Sequence, residues 1–167
     1  MEFILSDFEK YKAYFQALAT TMASKGSLGA PGGAPFLFGD IEIGQEEAAS
    51  WQGMKLWAWP PTKGRLRDPG SDNFIFGREA EIWIGGPATS EEHAAEDAFY
   101  QNCETLVKKL VAKMVMDRRN CLIAVDFNNT TFERADVHVG STRLIGCRYL
   151  FTIQDPDGFE YDEDDWT

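Results

Sequence analysis

Apolar positions along the chain follow two periods. Phe8, Tyr11, Tyr14, Phe15, Leu18 and Met22 recur three and four residues apart, which places them on one stripe of an amphipathic helix. Ser6-Asp7-Phe8-Glu9 reads as a capping box at its start, and Gly26 can end it, so a first helix is expected over about 6–25. A second is expected over about 91–117, on the stripe Ala95, Phe99, Cys103, Leu106, Leu110 and Met114, widened by Val107 and Val111. Ser90 is its expected N-cap. Glu91 and Glu92 open this helix, and Lys108, Lys109, Lys113, Arg118 and Arg119 crowd its end, the distribution the helix dipole favours.

The remaining apolar stretches alternate with period two and read as strands. They are FLFGDIEI (36–43), MKLWAW (54–59), FIFGREAEIWI (74–84), CLIAVDF (121–127), RADVHV (134–139) and RLIGCRYLFTI (143–153). In the last, Ile145, Cys147, Tyr149, Phe151 and Ile153 share one face, and Arg148 and Thr152 the other. Pro60-Pro61 is expected to cut off the second strand and Pro156 the last. Asn128-Asn129 and Val139-Gly140-Ser141-Thr142 supply turns. The Gly-rich stretch 26–35 is a loop with no Gly-Lys-Ser/Thr behind it, which excludes a phosphate-binding P-loop. PPTKGRLRDPGSDN (60–73) is expected as a long polar loop, basic through Lys63, Arg65 and Arg67.

Strands in blocks on either side of one helix argue for an α+β fold rather than a doubly wound sheet. The expectation is one domain over 1–154, with two amphipathic helices packed on a mostly antiparallel sheet. Trp57, Trp59 and Trp83 then fall on the face opposite Met54, Leu56, Ala58, Ala80, Ile82 and Ile84. Both faces of the sheet carry large apolar groups, and a face the helices do not cover is a candidate protein–protein surface.

Charge sharpens this picture. The chain has 27 acidic and 16 basic residues, a net charge of −11. Seven of the acids lie between Asp155 and Asp165 with no base among them; the rest of the chain then holds 20 acids against 16 bases, a balance of −4. Residues 155–167 therefore read as an acidic tail, in which Phe159, Tyr161 and Trp166 are interleaved with Asp162, Glu163, Asp164 and Asp165. Aromatic anchors among carboxylates suit docking to a basic partner groove. The net charge argues against nucleic acid, whose binding needs a basic stripe. No stretch approaches the ~20 apolar residues of a membrane span, and MEFILSDFEKY lacks the basic start of a signal peptide. Cys103, Cys121 and Cys147 sit far apart among apolar neighbours and read as reduced, buried thiols.

Chemistry is sparse. His93 and His138 belong to no HExxH or Cys/His metal spacing, there is no GxSxG elbow, and Asp155-Pro156-Asp157-Gly158-Phe159-Glu160 fails the calcium-loop pattern, with glycine at position 4 and Trp166 at position 12. No cofactor or metal is expected.

The order of elements, with FLFGDIEI, MKLWAWPP, FIFGREAEIWI, EEHAAEDAFYQNCETLVKKLVAKMVMD and the closing STRLIGCRYLFTIQDP, resembles the tail-completion proteins of tailed bacteriophages. These are the tail terminators and neck proteins, found also in prophages and contractile injection systems. The resemblance covers about 4–157 and leaves the Gly-rich loop and acidic tail outside the family core. It implies a structural subunit without enzymatic activity, made in the host bacterial cytoplasm and carried in the tail or neck of the virion. Such subunits form a ring, commonly a hexamer, that caps the tail tube and joins it to the head connector. Loops 26–35 and 60–73 would contact neighbours or the tube. Two other readings stand beside it. An acidic inhibitor or immunity-type protein would bind a basic partner, and an enzyme would hold its site under the Gly-rich loop.

Overall fold

Asp7 caps the first helix, α1 (Phe8–Ser24): its carboxylate accepts from the amides of Glu9 and Lys10 at 2.8 and 3.3 Å. The start lies one residue beyond the expected Ser6 cap, because a carboxylate meets the orphan amides of the first turn equally well. The far end is as expected. Gly26 takes φ +70°, its amide donates to Ala23 and the Ser27 amide to Met22, the paired bonds of a left-handed helix stop. The structure, a computed structural model, describes residues 5, 7–29, 33–40, 50–67, 75–88, 93–139 and 141–155. The expected N-cap Ser90 and the tail from Pro156 onward lie outside them.

Among the described residues five strands and a second helix follow: β1 (Phe36–Phe38), β2 (Lys55–Arg67), β3 (Ile75–Pro87), α2 (His93–Arg119), β4 (Val125–Val139) and β5 (Thr142–Asp155). The sheet order is β1-β2-β3-β5-β4; only β1 and β2 run parallel. The fold is α+β, two helices with a mostly antiparallel sheet.

Two expected boundaries move for one reason. Pro60-Pro61 does not end β2: the ladder with β3 skips from Trp59 opposite Glu81 to Lys63 opposite Glu79 and runs on to Arg67. The prolines, lacking amide donors, sit within the irregularity, where no ladder bond is asked of them. The basic stretch expected as a loop is therefore strand as far as Arg67. Likewise 121–127 and 134–139 are not separate strands. β4 carries an irregularity between Asp126 and Thr131, where the buried Asp126 carboxylate accepts the Asn128 amide at 2.9 Å. The Asn pair bends the strand instead of reversing it.

Alternation gives the sheet two faces. Leu56, Ala58, Ala80, Ile82, Ile84, Ile145, Cys147, Tyr149, Phe151 and Ile153 pack in one cluster with Tyr11, Tyr14, Phe15 and Ala19 of α1 and Cys103, Leu106, Val107, Leu110 and Met114 of α2. The helices run antiparallel, since Tyr14 meets Asp117 while Met22 lies beside Leu110. The Tyr14 hydroxyl donates to buried Asp117 at 2.9 Å, and Lys113 pairs with the same carboxylate. Burial, and then the bond to Asp117, push the Tyr14 phenol far above its ordinary range.

Cys103 and Cys147 are buried as expected, and burial pushes their thiols up to about 12 and about 11. Cys121 is not: it is exposed, at φ +57° just past α2. Its amide donates to Arg118 and the Leu122 amide to Asp117, the same stop as at Gly26 but built on a residue with a Cβ. A left-handed L-residue is strained, so Cys121→Gly should raise stability by about 0.5–1 kcal/mol in urea denaturation. A loss of stability would show that the thiol makes contacts worth more than that strain.

Candidate interaction surface

The face turned away from the helices is divided between tryptophan and charge. Trp57 and Trp83 stand opposite each other in the β2–β3 ladder, with ring centroids 5.9 Å apart at 80°. Trp51 contacts both at 5.7 and 5.8 Å, and Trp59 lies 5.2 Å from Trp57. Such tilted and edge-on pairs set the positive ring edge against the negative face. Leu37 and Leu144 complete the cluster, with Ala135 and Val137 against it. The Lys55 ammonium lies 5.2 Å over the Trp51 ring, close enough for cation–π attraction.

Two glycines make this packing possible. Gly85 and Gly146 oppose each other on β3 and β5. A Cβ on Gly85 would come within 2.8 Å of the Trp83 ring and 2.4 Å of the Ile145 carbonyl; one on Gly146 would lie 2.3 Å from the Ile84 carbonyl. The bare backbone of Gly85 leaves room for the Trp83 ring, and that of Gly146 lets β3 and β5 approach closely.

Within the chain this face is not the open patch the sequence suggests. Trp57 and Trp83 are 2% and 3% exposed, and Trp51 4%; Trp59 is half-buried. Large rings cover one another, which alternation along a strand cannot reveal. The Trp57 indole N–H donates to the Gly39 carbonyl at 2.9 Å, while those of Trp51, Trp59 and Trp83 are buried with no acceptor among the described residues. An unpaired buried donor costs about 1–3 kcal/mol, which this packing has to offset.

Beyond Trp83 the face turns ionic. Arg148 reaches Glu81 at 3.6 Å and pairs with Glu133 on β4. Burial raises the Glu81 carboxyl above its ordinary value; Arg148 opposes this and Glu133 reinforces it. A carboxyl raised on folding binds more protons in the native state, so its contribution is complete below the unfolded value and lost as pH rises through the folded one. Glu81→Gln should therefore flatten the fall of stability with pH just above the usual carboxylate range. An unchanged slope in urea titrations would assign it to another group.

The last strand, β4, is the open end. No described strand pairs with its outer edge, and from Thr131 to His138 its residues are exposed or half-buried, with Phe132 39% exposed. Natural edges are commonly protected by charge. Here the charges are engaged inside the chain: Glu133 by Arg148, Arg134 by Asp97 at 3.0 Å, and Asp136 by Arg143 at 2.7 Å. Arg143 also reaches Glu96 of α2 at 2.5 Å, tying that helix to the β4–β5 hairpin.

Of the residues singled out from the sequence, the structure gathers Trp57, Trp59 and Trp83 into one cluster. Lys63, Arg65 and Arg67 occupy alternate ladder positions on β2, opposite Glu79, Gly77 and Ile75. Phe159, Tyr161, Asp162, Glu163, Asp164, Asp165 and Trp166 lie outside the described residues. The chain matches no protein-family profile, no curated protein and no solved structure. Sequence reasoning missed the β4 edge, because two short strands were expected where one long one forms. It also left Trp51 out of the site, since no periodicity surrounds it. No helix among the described residues is long and apolar enough to cross a membrane.

Proposed function

We propose that this chain is a structural assembly subunit of the tail-completion type, closing into a ring, with a hexamer as the expected size, that caps a phage tail tube and joins it to the head connector. One observation carries the assembly part of this reading: β4 is a fifteen-residue edge strand whose described charges are paired within the chain and whose exposed apolar residue is Phe132. An exposed edge of that length can pair with another chain. The role in a tail or neck rests on the sequence resemblance. A ring needs a second, different surface on each subunit, so that contacts run head to tail and close. The basic stretch Lys63, Arg65 and Arg67 on β2, the strand next to the opposite edge strand β1, is the proposed counterpart, meeting acidic surface on the adjoining subunit. A net charge of −11 suits a conduit through which DNA passes without adhering.

The test is solution mass by light scattering, with negative-stain images. A closed ring is expected, and either Phe132→Lys or the triple Lys63→Ala, Arg65→Ala, Arg67→Ala should reduce it to smaller species without loss of fold. A wild-type chain that stays monomeric at every concentration, alone and with tail-tube and connector proteins, would sink the proposal. The acidic inhibitor reading would then take its place, to be tested against basic proteins at low and high salt.

A further inference from the structure

A groove lies between the two antiparallel helices. Leu18 and Met22 of α1 and Leu110 of α2 floor it, Lys25, Lys109 and Lys113 rim it, and its volume is about 410 Å³. This volume falls within the range that ligand-sized groups occupy. Lys113 is paired with Asp117, but neither Lys25 nor Lys109 has an ion-pair partner among the described residues, and both are exposed. An apolar floor under a cationic rim selects an occupant that brings aromatic or aliphatic groups together with carboxylates. The chain carries such a segment. Residues 157–167 hold Phe159, Tyr161 and Trp166 among Asp157, Glu160, Asp162, Glu163, Asp164 and Asp165, with no base.

The segment can reach. β5 ends at Asp155, paired with Phe76, and two positions earlier Ile153 pairs with Arg78. The Arg78 guanidinium lies 5.8 Å over the Phe8 ring, so β5 ends at the end of the sheet nearest the start of α1. From Phe8 to Met22 is about 21 Å along the helix at 1.5 Å per residue. The eleven residues from Asp155 to Trp166 extend to roughly 36–40 Å. Of the three aromatics, Trp166, eleven residues out, therefore has the reach to lie on the groove.

We infer that the acidic tail, residues 157–167, docks into the Lys25–Lys109–Lys113 groove of its own chain, setting an aromatic side chain on Leu18, Met22 and Leu110 and its carboxylates on the lysine rim. The contact does not depend on ring formation. It covers an apolar recess and neutralises cations that would otherwise face solvent, and a basic partner could draw the tail away.

Carbodiimide coupling of carboxylates to lysines in the full chain, read by mass spectrometry of the monomer fraction, tests this. Tethering alone would favour Lys10, in the first turn of α1 and nearer the tail's point of departure than the groove is, whereas docking favours Lys25 and Lys109. The expected result is at least a tenfold excess of tail crosslinks to Lys25 and Lys109 over Lys10. It should fall at least tenfold in 1 M salt, where the screening length shrinks to about 3 Å. The same loss is expected in the exposed-site double variant Lys25→Glu, Lys109→Glu, with its helical and strand content unchanged by circular dichroism. Crosslinks centred on Lys10 would overturn the inference, as would crosslinks to the groove found only between two copies. The ring proposal is judged by solution mass instead, so either can fail alone.

Discussion

Trp57→Ala should cost about 4–5 kcal/mol of unfolding free energy, measured in urea on the monomeric chain. Replacing a buried tryptophan by alanine typically costs about 3–5 kcal/mol, and this indole is the most connected of its cluster, touching Trp51, Trp59 and Trp83. Its removal also strands the Gly39 carbonyl, which accepts its N–H at 2.9 Å, for about 1 kcal/mol more. In a chain of this size that shifts the melting midpoint by roughly 10–15 °C, and domain stabilities of about 5–15 kcal/mol leave little in reserve. Trp57→Phe keeps an aromatic ring but loses the hydrogen bond, and should cost about 2 kcal/mol. The outcome separates two roles for the tryptophan face. A loss below about 1 kcal/mol in the monomer, together with lost assembly, would mean that these rings serve a neighbouring subunit rather than the chain's own fold.

The second large effect is expected at Gly146. A Cβ there would sit 2.3 Å from the Ile84 carbonyl oxygen and 2.6 Å from the Gly85 Cα. Both are backbone atoms held in the β3–β5 ladder, which is paired continuously from Phe76–Asp155 to Pro87–Leu144. Neither can give way without breaking strand pairing in the middle of the sheet, so Gly146→Ala should cost about 3 kcal/mol, the upper end of overpacking penalties. Gly26→Ala makes the informative contrast. Nothing lies within 4 Å of that Cβ and only the positive φ opposes it, so about 1 kcal/mol is expected. Equal costs at the two positions would show that conformation, not the close approach of strands, makes Gly146 necessary.

Much of the fold was legible because it rests on local rules. The stripes from Phe8 to Met22 and from Ala95 to Met114, the left-handed stop at Gly26 and the alternation from Ile145 to Ile153 each need only near neighbours in sequence. They determined two amphipathic helices, strands in blocks and hence an α+β architecture. The alternation of Trp57 and Trp59 against Leu56 and Ala58 also assigned each side chain to its face correctly.

What the tertiary structure alone decided concerns groups far apart in sequence. Pro60-Pro61 are punctuation to a local reading, yet β3 continues alongside and the ladder resumes at Lys63, so a presumed basic loop became a strand. Asn128 turns a chain locally, but the Asp126 carboxylate turned that into a bend because β5 pairs on both sides of it. Trp51 joined the cluster from a stretch without periodicity, and its contacts with Trp57 and Trp83 closed a face that alternation alone left open. Gly85 and Gly146, sixty-one positions apart, acquired their purpose only by meeting across the β3–β5 ladder. Local periodicity sets which way a side chain points; what it meets there is set by strand pairing, because only the ladder brings distant residues within contact distance.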